Sequence, residues 1–213
     1  GSILDASGNS ASLTLASPGA ANSLGANAAL LVDGVLPTVT AVSSTSNNGS
    51  YKFDDAIPIT ITFSEAVTVS GTPQLTLETG LSDAVVNYTS GSGGSTLTFN
   101  YTVLSGHNSS NLDYVSSSAL SLNSGSIADA AGNNATLTLV SPGATASLGS
   151  NKSIVIDGIV PTISIVTSTS SDGNYSVGDV IPISILFSES ITVSCTPQLT
   201  LETRSSDAVV DNR

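Results

Sequence analysis

Six carboxylates in this chain recur in three pairs at one interval. Asp5 and Asp129, Asp33 and Asp157, and Glu65 and Glu189 each lie 124 residues apart. Their surroundings recur with them: Asp5-Ala-Ser-Gly-Asn9 returns as Asp129-Ala-Ala-Gly-Asn133, the string DGVLPT from Asp33 as DGIVPT from Asp157, and Phe63-Ser-Glu65 as Phe187-Ser-Glu189. A hard cation needs several oxygen ligands from carboxylates, Asn side chains and carbonyls. An Asp at a joint, an Asp/Asn pair in a loop and a Glu from the next domain could meet at a domain boundary. For the junction inside this chain, that reasoning selects Asp129, Asn133, Asp157 and Glu189 as candidate ligands of a structural calcium ion (Ca2+). Binding would offset the ordering cost of the joint and stiffen it. The same residues are also turn formers whose side chains bond the backbone two residues on. The DxxGN loop lacks the dense oxygen spacing of an EF-hand, so both readings stand at this point.

Catalytic chemistry is poorly supplied. His107, the one histidine, lies in Gly106-His-Asn-Ser-Ser and is expected to be a solvated loop side chain. Nucleophile–base pairs and zinc sites need further partners of a kind this chain lacks. Cys195 stands where Gly71 stands 124 residues earlier, which suggests a small turn residue. The adjacent carboxylates Asp54 and Asp55 become Gly178 and Asp179, and neighbours on a strand point to opposite faces. An internal Lys–Asn staple is not expected either, because Lys52 becomes Ser176 and Lys152 corresponds to Ala28. The chain is therefore not expected to be an enzyme, and no catalytic or cofactor-binding residue is assigned.

Composition narrows the partners. Sixteen acidic residues against four basic ones give a formal net charge of −12. Such a surface repels phosphate backbones, so no nucleic-acid partner is expected. Plain solubility would explain the charge equally well as a cation site. No apolar run approaches the ~18 residues of a membrane helix, so no span is expected in this segment. Sugar binding usually wants an aromatic platform, and this chain has no Trp, five Tyr and four Phe. Aromatics on strands more often form core or cross-strand pairs.

The elements that must carry these residues read with a period of two. Thr38 to Ser43, Ile57 to Phe63, Gln74 to Glu78, Thr96 to Val103 and Ala135 to Val140 alternate apolar with polar side chains. Turn signals stand at Asn47-Asn-Gly-Ser, Gly91-Ser-Gly-Gly, Ser105-Gly-His-Asn and Ser141-Pro-Gly. Pro58 cannot donate to a ladder and should start its strand or lie on an edge. No window supports a long helix. The pattern predicts an all-β fold: immunoglobulin-like antiparallel β-sandwich repeats in tandem.

Residues 1–89 align with 125–213 without a gap. A period of 124 is too long for a solenoid unit of ~20–50 residues and suits one domain per repeat. Gly permits positive φ and Pro fixes φ, which makes Asp-Gly-x-x-Pro-Thr a short, directed joint. Cutting there predicts the C-terminal part of a preceding repeat at 1–34, a complete repeat at 35–158, and the N-terminal part of a following, truncated repeat at 159–213. The end pieces are expected to be a cut through a longer array, with disorder, or docking on each other within or between chains (the latter into a filament), as the alternatives.

These strings resemble the bacterial immunoglobulin-like repeats of large extracellular, adhesin-type surface proteins. The resemblance rests on DGxxPT, ITFSEAVTVSGTPQLTLETG, TLTFNYTV and ADAAGNNATLTL, and covers essentially the whole chain. It implies an extracellular or cell-surface, multi-domain stalk. The expected function is a structural spacer or adhesive module. The alternative is a carbohydrate- or surface-binding β-sandwich module. Expected partners are neighbouring repeats of the same chain, other copies of it, or cell-surface glycans.

Overall fold

A computed structural model describes residues 1–203 and 206–212. In chain order the elements begin with a four-residue helix α1 (Leu24–Asn27). Five strands follow: β1 (Val39–Ser44), β2 (Gly49–Lys52), β3 (Ala56–Ser70), β4 (Gln74–Glu78) and β5 (Ala84–Ser90). Next come β6 (Gly94–Thr102), β7 (Asn108–Ser109), β8 (Asp113–Tyr114), β9 (Leu120–Ser121), β10 (Ser126–Ala128), α2 (Leu148–Asn151) and β11 (Ile154–Asp157). The last four strands are β12 (Ile163–Ser168), β13 (Ile183–Phe187), β14 (Gln198–Leu201) and β15 (Ala208–Asp211).

The organising strand is β3. Its alternating Ile57, Ile59, Ile61 and Phe63 are buried, while the residues between them are partly exposed. β-branched side chains suit such a half-buried pleat, and each fully buried Ile or Leu contributes roughly 1.5–3 kcal/mol. β3 pairs antiparallel with β1 on one side and β6 on the other. The path continues β6-β5-β4-β8, with β10 joining β3 and β9 joining β4. Along β5 the partner changes: Ala84 to Asn87 face β4, whereas Tyr88 and Ser90 face β6. One strand thereby links two ladders over a single hydrophobic cluster, in which Leu75 and Leu77 of β4 join Phe99 and Tyr101 of β6. Tyr88 and Phe99 form the cross-strand aromatic pair, edge to face at 6.0 Å.

Pro58 is the third residue of β3, beside the end of β1, whose last partner pair is Ser44 with Ile59. Its carbonyl accepts the Ser44 hydroxyl at 2.7 Å and the Thr45 N–H at 3.4 Å. One expectation needs correction. Ala135 to Val140 is not a strand: Ala135 N–H donates to Ile127, Thr136 N–H to Pro37 and Leu139 N–H to Ser117, three different segments, so no continuous ladder forms. The sheets are antiparallel as expected, save that β11 runs parallel to β2 while pairing antiparallel with β7.

Every buried apolar side chain among the described residues falls between Val42 and Ile156. Outside that span the local geometry nonetheless repeats. The β12–β13 pairing of Ile163 with Phe187, with its irregularity before Ile165, reproduces Val39 with Phe63 in β1–β3. Ser168 donates to Pro182 as Ser44 does to Pro58. The loop Asp5–Asn9 folds on itself as Asp129–Asn133 does. Among the described residues no helix is long and apolar enough to cross a membrane.

Candidate functional site

The stretch before β1 is tied down by residues far along the chain. Asp33 starts it with a local turn, its Oδ1 accepting the N–H of Val35 at 3.0 Å. Thr136 N–H donates to the Pro37 carbonyl, and Thr38 bridges Thr136 in parallel. Thr38 and Ser64 exchange two bonds: Thr38 N–H to the Ser64 hydroxyl at 3.0 Å, and Ser64 N–H to the Thr38 carbonyl at 2.8 Å. That exchange fixes the next residue of β3, Glu65, beside the joint.

The third component is the loop after β10. Asp129 Oδ1 accepts the backbone N–H of Asn133 and Oδ2 accepts its side-chain amide, each at 2.8 Å. The same amide donates to the Asp33 carbonyl at 3.1 Å. Asn133 is thus a hinge pin between loop and joint. Carboxylate oxygens of Asp33, Glu65 and Asp129 all lie within 4.8 Å of one another. Burial, with help from Asp33 and Asp129, pushes the Glu65 carboxyl above its ordinary 4.5. For Asp129, burial pushes upward too, but the bonds from Asn133 outweigh it and hold the carboxyl below 3.8. Three acidic oxygens with one group resisting ionisation form the kind of set a hard divalent cation neutralises.

Of the four residues selected from sequence, the structure brings Asp129 and Asn133 together. Among the described residues, no group of three carboxylates includes Asp157 or Glu189. Asp33 and Glu65, each 124 residues earlier, lie beside Asp129 instead. The carboxylates that cluster are of the recurring kinds, but Asp129 faces the entrance of its own sandwich and not that of the following one. Asp157 Oδ1 instead accepts Ile159 N–H at 3.2 Å, the turn geometry of Asp33. Glu189, beyond β13, has a buried Oε1 without a hydrogen-bond partner.

The other end of the sandwich is tied down as well. β11 runs between β2 and β7, and past it Gly158 N–H donates to the His107 carbonyl at 2.7 Å. Gly106 N–H returns a bond to the Gly158 carbonyl at 3.0 Å. A Cβ at Gly158 would lie 2.3 Å from the Leu104 carbonyl oxygen, so only glycine fits there. Four residues on, Thr162 N–H meets the Ser188 hydroxyl at 3.0 Å, the counterpart of Thr38 with Ser64. Only Ile159, Val160 and Pro161 lie between these two anchors.

His107 departs from expectation: it is 5% exposed and not a solvated loop residue. Its ring stacks on Tyr101, with centroids 5.8 Å apart and planes inclined by 21°. The lone-histidine composition could not reveal this; the apolar-aromatic alternation of β6 ending at Tyr101 was the available signal. Asp55 is occupied in a turn, accepting Lys52 N–H at 2.8 Å. Cys195 is exposed at φ 63°, matching Gly71 at φ 70°. A shallow groove of about 440 Å³ on the β5–β6 face is lined by Asp83, Asn87, Asn100 and Thr102 among others, with no Tyr or Phe.

A family model described as bacterial Ig-like domain matches residues 33–142, opening on Asp33 and ending before α2. Neither the curated proteins nor the solved structures give a match.

Proposed function

Since the chain belongs to the bacterial Ig-like domain family, we propose that it is a non-catalytic, extracellular spacer segment of a repetitive surface protein. In this reading the unit is residues 35–158, flanked by parts of like units at 1–34 and 159–213, and the units follow one another in a stalk. The observation that carries it is the joint, where three residues separate two hydrogen-bonded anchors. A linker that short, ending in proline, restricts how one unit can turn against the next. Flexible tethers need long Gly/Ser-rich stretches instead.

Calcium belongs to the same reading. Asp33 enters from the joint while Glu65 and Asp129 come from the sandwich, so an ion held by all three would lock the joint to the domain it leads into. Adhesion would then be the task of other regions held out by the stalk.

Small-angle scattering of chains carrying two, four and eight units tests this directly. A maximum dimension growing in proportion to unit number supports a spacer. Growth as the square root of unit number would mean freely jointed beads and would overturn the reading. The same measurement with calcium and with EDTA reads the ion's part: a shorter, more variable particle in EDTA is expected.

A further inference from the structure

The buried histidine sits against the joint, and its bonding fixes its chemistry. Leu104 N–H points at His107 Nδ1 at 3.3 Å, and the Tyr101 hydroxyl lies 2.9 Å from the same atom. A backbone N–H can only donate, so Nδ1 is the acceptor and the ring proton resides on Nε2. Burial keeps Tyr101 a neutral phenol, its pKa pushed up to about 12, so its O–H is free to donate. The imidazole therefore pins the turn Leu104–His107 from beneath. On its outer side, that turn holds Gly158 through the two backbone bonds at His107 and Gly106.

We propose that His107 is a pH-responsive latch on the inter-unit joint, closed when the ring is neutral and opened by its protonation. A proton on Nδ1 would confront the Leu104 N–H, donor against donor. Tyr101 can rotate its hydroxyl to accept, but a backbone N–H held in a turn cannot. Relief requires the turn to open, and the bonds to Gly158 go with it. Burial holds the imidazole below its ordinary 6.5, which places the opening on the acid side of that value. The sign follows: the folded form resists the proton that the open form takes up. Stability of the latch is complete above 6.5 and is lost as pH falls through the depressed value.

The neighbouring elements carry other titratable groups. Tyr101 is on β6, and Asp83 shares the groove wall with His107. Asp54 and Asp55 bond the backbone of Val103, Lys52 lies on β2, and Asp157 on β11. Among the described residues the one ion pair is Lys52 with Asp55, at 3.8 Å. Among the described residues no ion pair to the ring offsets its protonation.

The latch deepens the spacer reading and rests on it for its meaning, yet it is measured separately. Hydrogen exchange of the Gly106 and Gly158 amides in the present chain, corrected for intrinsic rates, is followed from pH 7.5 to 4.5 against Phe99 in the core. The expected result is a tenfold or greater loss of protection at the two glycines with Phe99 unchanged. In His107→Asn, whose Oδ1 replaces Nδ1 as a non-titrating acceptor, the loss should disappear. Unchanged protection at both glycines in the wild-type chain overturns the latch, as does an identical loss in His107→Asn. Should that variant not fold, the ring titration of wild-type His107 decides: the loss must track it, and a loss centred near 4, where carboxylates titrate, overturns the proposal. Protection lost on cue without any change in scattering would support the latch and count against the joint as the stiffening element.

Discussion

The side-chain amide of Asn133 donates to the backbone carbonyl of Asp33, 100 positions earlier, at 3.1 Å while also binding the Asp129 carboxylate. One amide therefore ties the entrance of the sandwich to a loop near its end. Replacing Asn133 with Ala removes these bonds, with a longer one to the Val35 carbonyl at 3.5 Å, and leaves a buried carboxylate short of a donor. A loss of about 1–2 kcal/mol is expected, since hydrogen bonds to charged groups lie at the strong end of the range. Asn9 makes the matching bond to Asp5 on an exposed loop. Asn9→Ala should stay within about 0.5 kcal/mol, as surface changes usually do. Urea unfolding of the two variants measures the difference.

Glu65 and Asp129 have opposite pH signatures. The Glu65 carboxyl is held above 4.5, so its contribution is full below that value and is lost as pH rises through the raised one. Asp129 is held below 3.8, so its contribution is present above that value and is lost as acid protonates it. At neutral pH without a cation, Glu65→Gln should therefore raise the melting temperature. The same variant should reduce the shift produced by added calcium. An equal calcium shift in wild type and Glu65→Gln would argue against an ion at these carboxylates.

Gly158→Ala tests how tightly the joint is gripped. The new Cβ would meet the Leu104 and His107 carbonyl oxygens at 2.3 and 3.0 Å. Forcing a methyl into a packed site typically costs about 1–3 kcal/mol. The bonds to Gly106 and His107 should weaken, so scattering should report a looser joint together with a lowered melting temperature.

Leu148 and Leu24 stand at matching places in the repeated sequence but in different surroundings. Leu148 opens α2 with no exposure, whereas Leu24 opens α1 at 71% exposure. Leu148→Ala should cost about 2–5 kcal/mol through lost burial and the cavity left behind. Leu24→Ala in this chain should cost no more than about 0.5 kcal/mol. Thermal melting of the two variants gives the comparison.

Much of this molecule was legible in its residues because the relevant signals are local. The alternation in Ile57 to Phe63 reports a half-buried strand wherever the strand is placed, since side chains leave a pleat on alternate faces. A repeat of 124 residues is visible without any fold. The glycine of Asp-Gly-x-x-Pro-Thr suggests a residue of positive φ, whereas Gly158 has none and is required by the close approach of the Leu104 carbonyl. Ala135 to Val140 shows where local pattern fails: its alternation is real, but three different segments take its hydrogen bonds and no ladder forms.

What only the tertiary structure decided is which recurring residues meet. Recurrence places an Asp, an Asn and a Glu at fixed spacing but leaves open whether Asp129 faces the entrance of its own sandwich or that of the next. The Thr38–Ser64 exchange and the Asn133 bond bring Asp33, Glu65 and Asp129 together. His107 likewise reads as a polar loop residue until Tyr101 is seen beneath it. Periodicity is a property of the chain's local steric rules, whereas the meeting of residues 100 apart depends on how strands close over one core.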